Sequence, residues 1–534
     1  MARTRLTFTL RVAARPAPDD APCPIHRLPP ELLMPILYNA RYRLRDVRLA
    51  HVCRRWRELL LNMPEFWAAM LKHFESTSDE LHAGRSVAVE LLEQCLRLSA
   101  PLPFKLRFAL VGEAERLAVA PHLSRAAELC VSVPSLDAAL LLAELLFHSD
   151  LPNLTVLCYQ PDSLEIPAAA LPFEHFTLRA LVRLDVPADC LCPCAVTGQL
   201  EHLVLRGPAE NRPWVMDGLR ACTGLTYLKM KDVGKHWPQL HFDGAPPPDS
   251  EMIHLPNLRQ LAISDADVGI LNILGRLSVP PTVHIRLSSA VWPCSHFDPQ
   301  TVFAAPTVLT LDVLPAVRRL YLGKMSPKSG VRLVGYAGDG TERFNLSTLR
   351  DYEGNMFLEE LLRPWTEREV TTLAINLPRL PLDFKLNSCL LAMLVDYVVP
   401  PRTLSHLELL GSTPPEARRL FVRWLLHSSG QPGAPALGAM TLCWAYGVEE
   451  GREEETRAEL EALESTLREC QRAGQRLGKL HLYGTKESRV IVTSAAEVRT
   501  VHSSTMAARP PFEGRFTQLA DEVCHVITLP DIPD

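Results

Sequence analysis

No apolar run in this 534-residue chain approaches the roughly 20 residues that a membrane-spanning helix requires, so no bilayer span is expected. Nor is there a surplus of positive charge. The 56 Lys and Arg stand against 61 Asp and Glu, a net charge of −5. That balance gives no general attraction to nucleic acid or to an anionic membrane surface. No secretory apolar segment opens the sequence, so Asn153-Leu154-Thr155 and Asn345-Leu346-Ser347 are not read as glycosylation sites. Catalytic signatures are missing too: no H-E-x-x-H, no G-x-S-x-G and no phosphate-binding P-loop. Gly335-x-x-Gly338-x-Gly340 carries its glycines in the reverse order of the dinucleotide fingerprint. The 18 histidines are dispersed, and no nucleophile, base and orienting group can be named together. The expectation is a non-catalytic chain without a cofactor.

A hydrophobic content of 47% and a charged content of 22% place the chain among folded globular proteins. Its length admits several ordinary domains or one elongated repeat array. Fourteen cysteines are scattered through hydrophobic segments, as at Cys53, Cys130, Cys158 and Cys443. That is the pattern of reduced, buried thiols in an intracellular protein rather than of a disulfide framework. Cys190-x-Cys192-x-Cys194 is the sharpest local oddity; thiolates there could hold zinc, with Cys222 or His202 completing four ligands. Structural zinc sites favour wider cysteine pairs, however, and no second pair of that kind is present, so the segment is read as a loop and no metal is expected. Arg3, Arg5, Arg11 and Arg15, with no acid among them, resemble a mitochondrial presequence only weakly; residues 1–24 are read as a disordered tail.

The most informative stretch is residues 25–67, IHRLPPELLMPILYNARYRLRDVRLAHVCRRWRELLLNMPEFW. Pro29 and Pro30 suit the first turn of a helix, where a missing N–H costs nothing. Glu31 complements the helix dipole there. Leu32, Leu33, Ile36 and Leu37 then share a face, with Pro35 expected to kink or shorten the helix. After a basic break at residues 41–45, Asp46 is placed to cap a second helix. Leu49, Val52, Cys53, Trp56 and Leu60 make its apolar stripe, and Arg48, Arg54, Arg55 and Arg57 are read as a solvated face. Pro64 ends that helix, and Phe66 and Trp67 return as bulky apolar groups. A unit of about 45 residues is marginal by itself and cannot hide this much apolar surface, so part of it must face another domain or chain.

The landmarks LPPELL, VCRRW and PEFW, in this order and spacing, resemble an F-box. The resemblance implies a docking cluster that binds the Skp-type adaptor of a cullin-based ubiquitin ligase. It points to Leu28, Pro29, Leu32, Ile36, Leu37, Val52, Cys53, Trp56 and Trp67 as adaptor-facing, with some of them forming the small core instead.

Beyond Trp67 a different pattern takes over. Leu-x-x-Leu-x-Leu or a near variant recurs at Leu151-Leu154-Leu157, Leu178-Leu181-Leu184, Leu200-Leu203-Leu205, Leu225-Leu228-Met230 and Leu255-Leu258-Leu261. It returns at Val317-Leu320-Leu322, Val370-Leu373-Ile375, Leu404-Leu407-Leu409, Leu437-Met440-Leu442 and Leu477-Leu480-Leu482. The Leu-x-Leu end alternates as a strand does, and one such unit cannot bury its own face, so neighbours must stack. This resembles the strand portion of leucine-rich repeats. Helices are expected over residues 86–98, 135–148, 267–277, 387–399, 415–427 and 453–473, and strands over 102–110 and within 278–287. The segment at 332–344, with a turn at Gly338-Asp339-Gly340, is a hairpin candidate.

The predicted architecture is α+β overall: a three-helix F-box over residues 25–72, then an irregular right-handed α/β leucine-rich-repeat solenoid over 73–484. Loop inserts are expected near 235–250, 323–344 and 428–435, and a partly disordered C-terminal extension over 485–534. The order of parts resembles the large basidiomycete (fungal) family of F-box proteins with degenerate repeats. It implies a substrate-recognition subunit of a Skp–cullin–F-box ligase, cytoplasmic or nuclear, whose repeats hold an unknown protein target. The alternative is an F-box scaffold acting outside ubiquitination. Outward positions between the inward leucines are the target-binding candidates: Tyr227, Lys229, Arg319, Tyr321, His406 and Glu408.

Overall fold

A computed structural model describes residues 25, 28–39, 44–74, 85–147, 151–161, 178–191, 199–209, 212–233, 252–265, 267–289, 317–326, 329–348, 370–376, 405–410, 439–445, 461, 465, 468, 472, 477–485 and 520–527. The chain divides into two compact units, residues 1–109 with 113–129, and residues 110–112 with 130–534. Helix and strand are mixed, and the sheet is mostly parallel. Among the described residues no helix is long and apolar enough to cross a membrane.

In the first unit, α1 (Pro30–Asn39) leads through a 3-10 segment (Leu44–His51) to α2 (Arg54–Leu61) and α3 (Pro64–Met70). After a short 3-10 turn (Leu71–His73) come α4 (Arg85–Leu98) and β1 (Phe104–Ala109). Next are α5 (Glu113–Val119), a 3-10 segment (Ala120–Arg125) and β2 (Ala126–Val133), whose first half belongs to this unit. The α1 helix runs through Pro35 rather than ending there. The expected second helix is divided. Asp46 lies inside the 3-10 segment, and Cys53, extended at φ −156°, is the N-cap of α2, its Sγ accepting from Trp56 N at 3.4 Å. The core is Leu33 and Leu37 of α1, Leu60 of α2, Phe66, Trp67 and Met70 of α3, and Leu92, Cys95 and Leu96 of α4. On β1, Phe104, Leu106 and Phe108 point inward and alternate with exposed Lys105 and Arg107. Arg125 lies over the Phe104 ring and donates to the carbonyls of Leu96 (2.7 Å) and Leu102 (2.8 Å), placing a cation at the C-terminal end of α4.

The second unit starts its helices with α6 (Leu136–Phe147), capped by Ser135, whose hydroxyl accepts from Ala138 N at 3.3 Å. Then follow β3 (Val156–Pro161), β4 (Arg183–Pro187), β5 (His202–Arg206), α7 (Arg212–Ala221), β6 (Tyr227–Lys231), β7 (Ile253–His254) and β8 (Gln260–Asp265). The next elements are α8 (Asp267–Leu274), β9 (Leu277–Ser278), β10 (His284–Ser289), β11 (Val317–Ser326), β12 (Ser329–Ala337) and β13 (Glu342–Thr348). The last are β14 (Thr372–Asn376), β15 (His406–Leu410), β16 (Ala439–Ala445), β17 (Leu477–Thr485) and β18 (Ala520–Ile527). From β3 onward the strand order is β3-β4-β5-β6-β8-β10-β13-β12-β11-β14-β15-β16-β17-β18. A small parallel pair, β7 with β9, stands apart from it.

A local motif repeats along this sheet. Before β3, β4, β6 and β8 the chain turns, with Leu154 N donating to Leu151 O, Leu181 N to Leu178 O, Leu225 N to Cys222 O, and Leu258 N to Leu255 O. One carbonyl then accepts two successive N–H groups of the following strand entry: Thr155 O from Val182 and Arg183, Val182 O from Glu201 and His202, Glu201 O from Thr226 and Tyr227, Thr226 O from Arg259 and Gln260. The same arrangement returns when Thr371 O accepts from Ser405 and His406. The constant turn keeps the register in phase: Leu184, Leu203, Leu228, Leu261 and Ile285 stand in one row, and all are buried. The first leucine of each motif closes the turn, and the later ones fill one face of the sheet.

The expected hairpin is present, but the segment 323–344 is not a loop insert. Strand β12 runs antiparallel to both β11 and β13, while β13 pairs parallel with β10 and β11 parallel with β14. The segment therefore continues the sheet on both sides, because its backbone groups find partners only in the ladder. At the turn, Gly340 adopts φ +83° and the Asp339 carboxylate accepts from the N–H and hydroxyl of Thr341. Strand β18, which includes Val526 and Ile527, lies within the segment expected to be a partly disordered extension. Glu461, Ser465, Arg468 and Arg472 are helical and exposed, at helical spacing along one face. The predicted tail 1–24, the inserts 235–250 and 428–435, and the helices at 387–399 and 415–427 lie outside the described residues.

Candidate functional site

Two surfaces collect the residues singled out from the sequence. The first is the helical segment at the start of the first unit. Helix α1 buries Leu33 (0% exposed) and Leu37 (1%), four residues apart, and turns the rest of its apolar side chains outward. Leu32 is 56% exposed and Ile36 46%, with Met34 and Tyr38 also exposed; Val52, after the 3-10 segment, is 59% exposed. Pro29 is exposed, and Leu28, Cys53 and Trp56 are half-buried. Leu37 and Trp67, named from the sequence as adaptor-facing or core, are both buried. Each fills the core, and the Trp67 indole N–H donates to Leu60 O at 2.7 Å, with the ring edge-on to Phe66. The same polar end that makes Trp attractive at an interface is here already satisfied inside. Val52 does not join the stripe, because the break at Cys53 rotates it to the surface.

Two arginines read as a solvated face tie the segment together. Arg55 donates to Leu28 O at 2.5 Å, and Arg57 to Ala50 O at 3.0 Å. They hold Leu28 and the 3-10 segment against α2. Arg54 pairs with Glu58 at 2.8 Å on the exposed side, a helical i,i+4 pair. No sequence signal separates Arg55 and Arg57 from Arg54, since all three occupy one basic run. The Trp56 indole N–H is buried and has no hydrogen-bond partner.

The second surface is the sheet face of the second unit opposite the leucine row. His202, Lys229 and Gln260 are exposed there, Tyr227, Ala262, Arg319, His406 and Glu408 half-buried. Val204 is buried, and so is Tyr321, the latter against expectation. Tyr321 sits in register between Val334 of β12 and Ala374 of β14. Arg319 and Glu408 are already partners. They meet at 2.5 Å across β14, where Ala374 leaves room for the guanidinium to cross. On β10, β12 and β13 a similar network forms: Glu342 receives His284 Nε2 (2.9 Å) and Asn345 Nδ2 (2.8 Å), and Arg332 donates to Asn345 Oδ1 (3.3 Å). The His284 hydrogen bond, more than any other contact, holds the Glu342 carboxyl below its ordinary range.

Across β4, β5 and β6 the same face differs. The register sets Arg183 beside His202 and Tyr227, Asp185 beside Val204 and Lys229, and Pro187 beside Arg206 and Lys231. Asp185 is buried; one oxygen accepts from Arg206 at 2.8 Å and the other has no hydrogen-bond partner. Burial raises its pKa, and the charges of Arg206, Arg183 and Lys229 oppose that rise. The His202 and Tyr227 rings lie 5.6 Å apart.

Three buried thiols, Cys95, Cys190 and Cys222, are chemically quiet. Cys190 is buried in a 3-10 turn and Cys222 donates to Gly218 O at 3.1 Å. Burial pushes Cys95 and Cys222 up to about 12 and raises Cys190 as well, which keeps them protonated and poor as ligands or nucleophiles. Cys192 and Cys194 lie outside the described residues. An open cleft of about 310 Å³ lies where β6, β8 and β10 are entered, lined by residues that include Thr226, Asn257, Arg259 and Thr282.

No protein-family model matches this chain, and no curated protein matches it in sequence.

Proposed function

We propose that this chain is the substrate-recognition subunit of a Skp–cullin–F-box type ubiquitin ligase. The helical segment over residues 25–72 acts as the F-box, the repeating strands form a leucine-rich solenoid, and the chain itself performs no chemistry. The observation that carries the reading is the outward apolar set on α1 and after it. Leu32, Ile36 and Val52 are each about half exposed beside a core already filled by Leu33, Leu37 and Trp67. Such side chains gain little from the fold of their own unit and much from a partner. The mechanism is proximity: a target held by the sheet face has its lysines at high effective concentration near the charged conjugating enzyme. Such ligases act in the cytoplasm or nucleus.

The test is capture of a Skp-type adaptor by the full chain and by a Leu32→Asp, Ile36→Asp, Val52→Asp variant. Capture should be lost while circular dichroism stays unchanged, since the three positions are exposed. Capture at the wild-type level refutes the reading. Loss of a target's ubiquitin on depletion of the protein separates ligase function from a scaffold outside ubiquitination.

A further inference from the structure

We infer that the face of β4, β5 and β6 opposite the leucine row binds an extended acidic peptide, its aspartate or glutamate carboxylates meeting Arg183, Arg206, Lys229 and Lys231. This deepens the reading of the sheet as a target-binding surface and rests on it.

The argument begins with a contrast along one sheet. From β10 to β15, among the described residues, His284 and Arg332 are paired with Glu342 and Arg319 with Glu408, while Arg286 is exposed on the same face. Over β4 to β6 four cations face one carboxylate, Asp185, and that carboxylate is buried. Arg206 and Lys231 are register partners, two like charges directly opposite on neighbouring strands. Asp185 offsets part of that repulsion through Arg206, and an incoming anion relieves the rest. Arg183, Lys229 and Lys231 are exposed, so they are open to such a partner.

Asp185 shows what the face accepts. It is a buried carboxylate held by Arg206 at 2.8 Å, and the charges of Arg206, Arg183 and Lys229 favour its ionised form against the effect of burial. The three register rows are two residues apart along the strands, roughly 7 Å, which is also the separation of alternate side chains in an extended peptide. Acidic residues at every second position therefore meet successive rows. Two features favour a peptide over single-stranded nucleic acid. Successive bases need a series of aromatic platforms, and here His202 and Tyr227 form one ring pair at one end of the face. The chain as a whole is also negative, at −5.

The experiment uses the full chain and fluorescence anisotropy with three labelled probes: an alternating Glu-Gly peptide, an alternating phosphoserine-Gly peptide of the same length, and a single-stranded oligonucleotide. The variant is Arg183→Glu, Lys229→Glu, Lys231→Glu, which leaves the Arg206–Asp185 pair in place. The control, Arg48→Glu, Lys72→Glu, Arg97→Glu, makes the same change in net charge elsewhere. The glutamate peptide should bind, weaken with added salt, and lose about tenfold or more in affinity in the variant but not in the control. No binding of the glutamate peptide, equal loss in variant and control, or a preference for the phosphoserine peptide or the oligonucleotide overturns the inference. Adaptor capture by the same variant separates the two levels. Capture retained with no peptide binding sinks this inference alone, whereas peptide binding without adaptor capture by the wild-type chain sinks the ligase reading and leaves the acidic-peptide site standing.

Discussion

Leu32 and Leu33 are adjacent on α1, yet they should give opposite phenotypes. Leu33 is 0% exposed and Leu32 56% exposed. Truncating Leu33 to alanine removes a fully buried isobutyl group from contact with the rest of the core. Its transfer term is about 2 kcal/mol, and the cavity left among well-packed neighbours brings the total to about 3 kcal/mol. Local opening of α1 to α3 then becomes about a hundredfold more frequent. Truncating Leu32 removes a group still largely in water and should change stability by about 0.5 kcal/mol or less. The assay is hydrogen exchange of the full chain, read by mass spectrometry over residues 30–70, alongside adaptor capture. Leu33→Ala should lose protection. Leu32→Ala should keep protection and weaken capture. A Leu33→Ala variant with wild-type protection, or a Leu32→Ala variant as destabilised as Leu33→Ala, would refute the assignment of the inward and outward faces of this helix.

The two tryptophans of the segment should also differ. Trp67→Phe loses a buried 2.7 Å hydrogen bond and leaves Leu60 O without it, at about 1–3 kcal/mol, whereas Trp56→Phe removes a buried donor that has no partner and should be near neutral in a denaturant titration. Asp185 carries a raised pKa, so its contribution to stability is fully present below the unfolded-state value and is lost as pH rises through the folded one. Asp185→Asn should therefore melt at or above the wild-type temperature at neutral pH, with the gap closing in acid; a variant that melts lower at neutral pH shows that the Arg206 pair outweighs the burial penalty. Leu320, 1% exposed in the leucine row, should not tolerate aspartate: Leu320→Asp should unfold the second unit by circular dichroism while hydrogen exchange over residues 30–70 stays as in wild type.

The strand positions were readable because their signal is periodic. Leu-x-x-Leu-x-Leu marks β3 to β6, β8, β11 and β14 to β17, and the spacing encodes both the turn and the inward row. Helices α4, α6 and α8 were readable for similar reasons, each an apolar run with a start or stop signal beside it. What escaped depends on tertiary context. Cys53 fits an apolar stripe by sequence and becomes an N-cap only once the chain breaks before Arg54, and that break carries Val52 to the surface. The turn at Gly338-Asp339-Gly340 gave the hairpin, but not the pairing of its outer strands with β10 and β14, which no local signal specifies. At the candidate site, the exposed Leu32 and Ile36 and the buried Leu33 and Leu37 are all branched aliphatic residues at neighbouring helical positions. Which pair faces inward follows from the packing of α2 and α3, not from composition. The burial of Asp185 was invisible because a carboxylate on a strand ordinarily faces water.

The reversed strand β12 has a consequence for how the second unit assembles. Parallel neighbours bring together residues far apart in the chain, as Ile285 with Phe344 or Leu228 with Leu261, and each such closure costs entropy before any contact repays it. The β11–β12–β13 meander needs almost none, since Ser326 meets Ser329 and Tyr336 meets Glu342. It is a local, fast-forming element placed in the interior of the strand order, with both of its outer strands correctly oriented to template a parallel neighbour. Assembly can begin there and spread outward in two directions, toward β10 and β8 on one side and toward β14 and β15 on the other, each step adding a strand to an edge that is already built.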